Sequence, residues 1–148
     1  MAKTALVRPV NQDDFEALEQ IDKSYAEAYN LEPVLTLGSL NFYARSGHGF
    51  ASLIETEITG FVLAQSVWNG FRPVLQLNRL AVKEKDDLLS RNALFDALTK
   101  SSYDAAVYDI QLLLPDEDKA VLQIAKEKQY VEVAITVLER TLGSRGRS

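Results

Sequence analysis

Residues 81–98 read AVKEKDDLLSRNALFDAL, and the joint they form decides how the rest of the chain is read. An apolar strand ends at Val82, a charged stretch follows, and helical periodicity takes over from Leu88. Asp86 and Asp87 stand where an N-cap and a first-turn acid satisfy the orphan N–H groups of a new helix. No glycine occurs between Phe71 and Leu142, so nothing here offers an anion bare backbone amides. A carboxylate about 4 Å from a phosphate charge repels it by roughly 4 kcal/mol at an effective dielectric of about 20. The helix dipole returns only about 0.3–1 kcal/mol. Lys83, Lys85 and Arg91 balance Glu84, Asp86 and Asp87, and the joint reads as a helix that caps itself.

Working outward, TALVRPV (4–10) is a short strand stopped at Pro9, which cannot donate to a ladder. Asn11 caps a helix whose first turn holds Asp13 and Asp14 and whose apolar face runs from Phe15 to Tyr29. Pro33 breaks it. A shorter helix follows, capped by Thr36 or Ser39 and stopped at Gly47. Strands are expected over 50–55, 60–68 and 73–82, joined by a tight turn at TEIT and by a hairpin at Asn69–Gly70. After the helix from Leu88 to Ala106, Val107 to Leu114 reads as a buried strand. The crossover from Val82 predicts a right-handed parallel pair. PDEDKAVLQIAKEKQ is a helix opened by Pro115 and its acids, and YVEVAITVLER (130–140) alternates like a final strand. The order is βααβββαβαβ: an α+β, three-layer chain with a mixed, mostly antiparallel sheet.

Composition narrows the function. The chain of 148 residues suits one domain, expected over 1–141, with a flexible basic tail at 142–148 that carries Arg145 and Arg147. The net charge of −5 argues against nucleic acid as a partner. There is no cysteine and one histidine, which argues against disulfides, iron–sulfur clusters, thiolate metal sites and a cysteine nucleophile. No run approaches the 18 or so apolar residues of a membrane span, and the start turns polar too soon for a signal peptide. A cytoplasmic protein is expected.

The order of elements resembles the GNAT superfamily of acyl-CoA-dependent N-acyltransferases. The resemblance rests on VRPV…DDFEAL, GFVLAQ, LNRLAV and YDAAVYDIQLLL, and it covers nearly the whole chain. It implies that the fourth and fifth strands splay around acetyl-CoA. Leu80, Ala81 and Val82 would then lie along the pantetheine, and Leu88, Leu89, Ser90, Arg91 and Asn92 at the pyrophosphate. The chain departs from the family pattern at three places. Leu88 and Leu89 stand in the pyrophosphate loop where the family has glycines; Asn78 falls where many members carry a basic glutamate; and Ala125 falls where a tyrosine protonates the leaving thiolate. The family's last β-hairpin is also reduced to one strand.

Four residues are candidates for chemistry. Asn78 is singled out by the resemblance. Arg79 either binds an anion in the cleft or pairs with an acid across the sheet. Tyr108, with Tyr103 near it in sequence, either supplies a phenolic proton near the splay or packs as a rim aromatic. His48, the single imidazole, is either a general base or a hydrogen-bonded loop residue. Two functions follow: an acetyl-CoA-dependent N-acetyltransferase of unknown acceptor, or a non-catalytic module. The module would bind a small ligand in the cleft or use the sheet edge left by the missing strand as a homodimer interface.

Overall fold

A computed structural model of the chain describes residues 3–143. β1 (Ala5–Pro9) leads into a 3-10 turn at Gln12–Asp14, then α1 (Phe15–Ala28) and α2 (Leu37–Ser46). β2 (Gly49–Ile54), β3 (Glu57–Trp68) and β4 (Pro73–Val82) form the meander. α3 (Leu88–Asp104), β5 (Ile110–Leu112) and α4 (Lys119–Glu127) complete the regular elements. The sheet order is β1-β2-β3-β4-β5, antiparallel except for the parallel β4–β5 pair. This mixed sheet with four helices is the architecture the element order predicts.

Local signals place most boundaries. Asn11 closes a capping box with Asp14, accepting from Asp13 N at 2.9 Å. Thr36 and Ser39 form a second box, and Gly47 ends α2 at φ 82°. The Asn69 side chain accepts from Phe71 N and Arg72 N, which holds the β3–β4 hairpin. The β2–β3 turn falls at Glu55–Thr56, not over TEIT. Glu55 takes φ 59°, and a bulge at Ser52/Leu53 lets β3 start at Glu57. α4 begins at Lys119 rather than beside Pro115, because Asp118 supplies its cap to Val121 N at 3.2 Å.

The central strand β3 is buried on both faces from Gly60 to Ala64. Phe61 and Leu63 join Leu18, Ile21, Tyr25 and Leu40 under α1 and α2. Val62 and Ala64 join Leu75, Leu77, Leu80, Phe95, Leu98, Val121 and Ile124 under α3 and α4. The sheet therefore separates two cores.

The final strand expected over Tyr130–Arg140 does not form. Tyr130 is held against Phe95, ring centroids 6.0 Å apart, and beyond it residues 131–140 leave the sheet unpaired. Alternating side chains specify which face of a strand would be buried. They do not supply the neighbour it must pair with. β5 is also shorter than its apolar run, pairing only over Leu75–Leu77.

Candidate functional site

The pairing of β3 with β4 slips between Leu63↔Arg79 and Ala64↔Leu77, which leaves Asn78 as a bulge without a partner. Period-two alternation is thereby broken. Gln76, Asn78 and Arg79 all turn toward α1 and α2, while Leu77 and Leu80 stay in the opposite core. Half-buried Asn78 accepts from Gln76 Nε2 at 2.8 Å and donates to the Tyr43 hydroxyl on α2 at 2.7 Å. These groups are uncharged donors and acceptors within reach of solvent.

Arg79 takes the structural option. Its Nη1 meets Asp22 Oδ1 at 2.9 Å, and its Nη2 donates to Glu32 O at 2.9 Å. The other oxygen of Asp22 accepts from Val34 N and Leu35 N at 2.8 and 2.9 Å. This buried ion pair ties α1 and the 32–35 loop to the sheet, and no charge is left over for a ligand.

β4 and β5 part company after Leu77 and Leu112, with Leu113 N still donating to Leu77 O at 3.1 Å. At that end of the sheet a network joins elements from both faces. Tyr25 of α1 donates from its hydroxyl to Asp118 Oδ2 at 2.5 Å. Arg91 of α3 donates from Nη2 to both Asp118 oxygens at 3.1 Å. The Arg91 and Asp118 side chains are 0% and 1% exposed. Arg91 Nη1 also bonds Lys85 O, drawing the β4–α3 loop inward, while its Nε has no partner. Burial, reinforced by the hydrogen bond to Asp118, raises the Tyr25 phenol, so it stays protonated as the donor. A continuous hydrogen-bonded sheet would keep α1 apart from α3 and α4. Past the last β4–β5 pair, side chains of α1 and α3 meet on Asp118, the cap of α4.

The residues expected along a cofactor lie as follows. Leu80, Ala81 and Val82 are buried in β4, paired with Val62, Phe61 and Gly60. Leu88 and Leu89 are exposed on the first turn of α3. Ser90 is buried, its N–H donating to the Asp87 cap at 2.8 Å and its hydroxyl bonded to Thr59 at 2.7 Å. Asn92 bonds back to Leu88 O at 2.9 Å. Lys83 pairs with Glu57, and the Lys85 ammonium lies 5.6 Å from the Tyr29 ring centre. These residues do not fit a pyrophosphate. The cap is a carboxylate, leucines flank it, and the arginine of the turn is committed inward.

His48 lies elsewhere, on a groove of about 850 Å³ between β1, β2 and α3. Its Nδ1 is 2.6 Å from Ser101 Oγ, which donates to Gly47 O at 3.1 Å. With the serine proton used there, Nδ1 is the donor and Nε2 the free acceptor. Burial lowers the His48 pKa, which keeps it neutral at pH 7. Tyr108 is exposed ahead of β5, edge-on to Tyr103 at 5.8 Å, on the side of the paired segment away from the opening. Asn78 and Arg79 are thus adjacent; His48 and Tyr108 are not brought to them. Tyr25, Tyr43 and Asp118 escaped sequence reasoning. The one local hint was the acidic run before α4, which contains Asp118.

Comparison with known proteins places this geometry. Residues 32–148 match a family described as a protein of unknown function, DUF1999. The chain belongs to DUF1999. This DUF1999 chain is 30% identical to TTHA1254 of Thermus thermophilus, with a TM-score of 0.77 over 95% of this chain and 99% of that one. A predicted acetyltransferase from Clostridium acetobutylicum, solved with acetyl-CoA, shares 12% identity over 94% and 97% of the two chains at TM-score 0.70. Aminoglycoside N-acetyltransferase AAC(6')-Iy, solved with CoA, shares 14% identity over 97% and 98% at TM-score 0.74. The DUF1999 chain therefore has the fold of these acetyltransferases, the GNAT fold. No curated protein matches the sequence. Among the described residues no helix is long and apolar enough to cross a membrane, and no group of three or more His, Asp or Glu could hold a metal ion.

Proposed function

We propose that this DUF1999 protein is a non-catalytic, homodimeric and cytoplasmic module built on the GNAT scaffold, which has given up acyl-CoA and binds a small uncharged polar ligand beside the β4 bulge. The observation that carries this reading is the Tyr25–Asp118–Arg91 network at the opening between β4 and β5. Admitting a pantetheine arm there requires breaking a buried ion pair, which costs about 3–5 kcal/mol when one partner is lost. The Gln76–Asn78–Tyr43 chain offers neutral hydrogen bonds on the neighbouring face, suited to an uncharged ligand. The free edge of β5 supports the homodimeric part.

Calorimetric titration with acetyl-CoA and with free CoA tests the reading. The expected result is no saturable heat at millimolar ligand. Micromolar binding overturns it and favours the second reading, an N-acetyltransferase, which the likeness to CoA-bound acetyltransferases supports. Asp87→Ser removes a carboxylate while keeping a capping oxygen. If the network closes the opening, CoA binding stays absent in this variant; if it appears, the carboxylate alone was the obstacle.

A further inference from the structure

A groove of about 850 Å³ runs between β1, β2 and α3, on the α3 side of the sheet, whereas Asn78 and Arg79 turn toward α1 and α2. Its volume falls within the ~300–1,000 Å³ of small-molecule sites. Ala93, Ala97 and Ser101 recur at every fourth residue of α3 and line one stripe of the helix along the groove; Val7 and Phe50 line it from the sheet. Residues four apart rise about 6 Å along the axis, so the methyl groups of Ala93 and Ala97 make a flat bed on the scale of one ring. The charges of the rim are already paired. Lys100 Nζ meets Asp104 Oδ2 at 2.7 Å and Lys128 Nζ meets Asp96 Oδ1 at 2.9 Å, so their formal charges cancel. A stripe of small residues with a neutral rim does not by itself select a ligand. His48 does.

His48 is 8% exposed and lines the same groove. Its Nδ1 is engaged by Ser101. Its Nε2 has no partner among the described residues, and it is not sealed in, since Arg91 Nε is the one buried side-chain polar atom left unpartnered there. Nε2 therefore opens on the groove. The Ser101 hydroxyl donates to Gly47 O, which leaves Nδ1 as the donor and Nε2 as the acceptor. We propose that this groove is a second ligand site, taking an uncharged aromatic ring whose hydroxyl donates to His48 Nε2. A ligand covering Nε2 without a donor would leave a buried acceptor unmet, and that penalty exceeds what the bond itself returns. A carboxylate would set acceptor against acceptor, because burial keeps the imidazole neutral at pH 7. An ammonium finds no free carboxylate at the rim, since Asp96 and Asp104 already hold lysines. The ring lies on the alanine bed with Phe50 as its aromatic neighbour. The site is separate from the β4 bulge and does not depend on the ligand reading given for it.

The test uses the full, untagged chain, in which His48 is the single histidine, so its imidazole nitrogens are identified without assignment. Phenol is titrated in at neutral pH under heteronuclear NMR, and anisole, the same ring with its hydroxyl capped by a methyl group, is titrated in parallel. Phenol is expected to bind with a millimolar Kd, to move the amide signals of residues 47–48 and 93–101, and to shift the Nε2 resonance upfield as a nitrogen that accepts a hydrogen bond. Anisole should bind about tenfold more weakly and leave that resonance in place. Ala97→Leu fills the bed and should abolish phenol binding, while the Nε2 resonance of the free protein stays where it is in the wild type. Equal binding of phenol and anisole overturns the assignment of His48 as the anchor, and phenol binding undiminished by Ala97→Leu overturns the alanine bed. Phenol shifts confined to the surroundings of Asn78 and Tyr43 overturn the groove and leave the ligand reading at the bulge standing. The absence of any saturable shift overturns the groove as well.

Discussion

The opening between β4 and β5 and the arm after Tyr130 are opposites. At the opening, Asp118 accepts from Tyr25, from Arg91 and from Val121 N, so polar groups from three helices satisfy one another in the interior. Along the arm, five large apolar side chains are exposed and, among the described residues, the backbone of 131–140 makes one hydrogen bond, Ile135 N to Val133 O. All of the bonds at the opening would have to be given up on displacement, and among the described residues only Arg91 Nε is left buried without a partner in that region. A region that leaves strand groups unmet has its affinity still to spend. The resemblance implies a ligand at the first and a closing strand at the second; here the first holds a side-chain network and the second stays unpaired.

The sharpest way to break this contrast is at Asp118. Asp118→Ala strands the Arg91 guanidinium and should cost about 3–5 kcal/mol in urea unfolding. The other buried pair gives the internal comparison. Arg79→Ala leaves Asp22 with two backbone N–H donors, so its loss should be smaller, about 2–3 kcal/mol. Equal losses would mean that the Tyr25–Asp118–Arg91 network holds the fold no more firmly than an ordinary ion pair. Asp87→Ala probes the mouth of the same region. Loss of the bond to Ser90 N should cost about 1 kcal/mol, the usual value of an N-cap.

His48 extends the comparison to the groove beside α3. Burial holds its folded pKa below the ordinary value, so the unfolded chain takes up the proton first on acidification. Its contribution is complete above pH about 6.5 and is lost as the pH falls from there toward the lower folded pKa. His48→Gln should flatten that part of the stability profile between pH 7 and 5; an unchanged slope would assign it to other groups. The smallest effect belongs to the arm. Ile135 is exposed, so Ile135→Asp should change the unfolding free energy by no more than about 0.5 kcal/mol. A large loss would show that the arm belongs to the monomer core.

How much was legible depended on the range of the interaction. The cap at Asn11, the stop at Gly47 and the hairpin at Asn69 are settled within a few residues and were readable, while the caps at Thr36 and Asp87 were readable only to within a pair, Thr36 or Ser39 and Asp86 or Asp87. Arg79 was readable only as a choice between ligand and ion pair, since Asp22 lies fifty-seven positions away. Tyr25 and Asp118 are separated by 93 positions, and nothing in either neighbourhood points to the other. The final strand was misjudged for a related reason: its alternation is local, but its partner is not. The expected tail at 142–148 lies largely outside the described residues.

The amino-acid order alone determined the succession of elements, the parallel crossover after Val82 and the self-capped start of α3, because periodicity, caps and turns act over one or two turns of chain. Tertiary structure decided that Arg91 faces inward to Asp118, that the bulge sets Asn78 and Arg79 on one face, and that residues 131–138 stand apart from the sheet. Those outcomes depend on which distant groups become neighbours when the two cores close on the sheet, and that is a property of packing rather than of any segment.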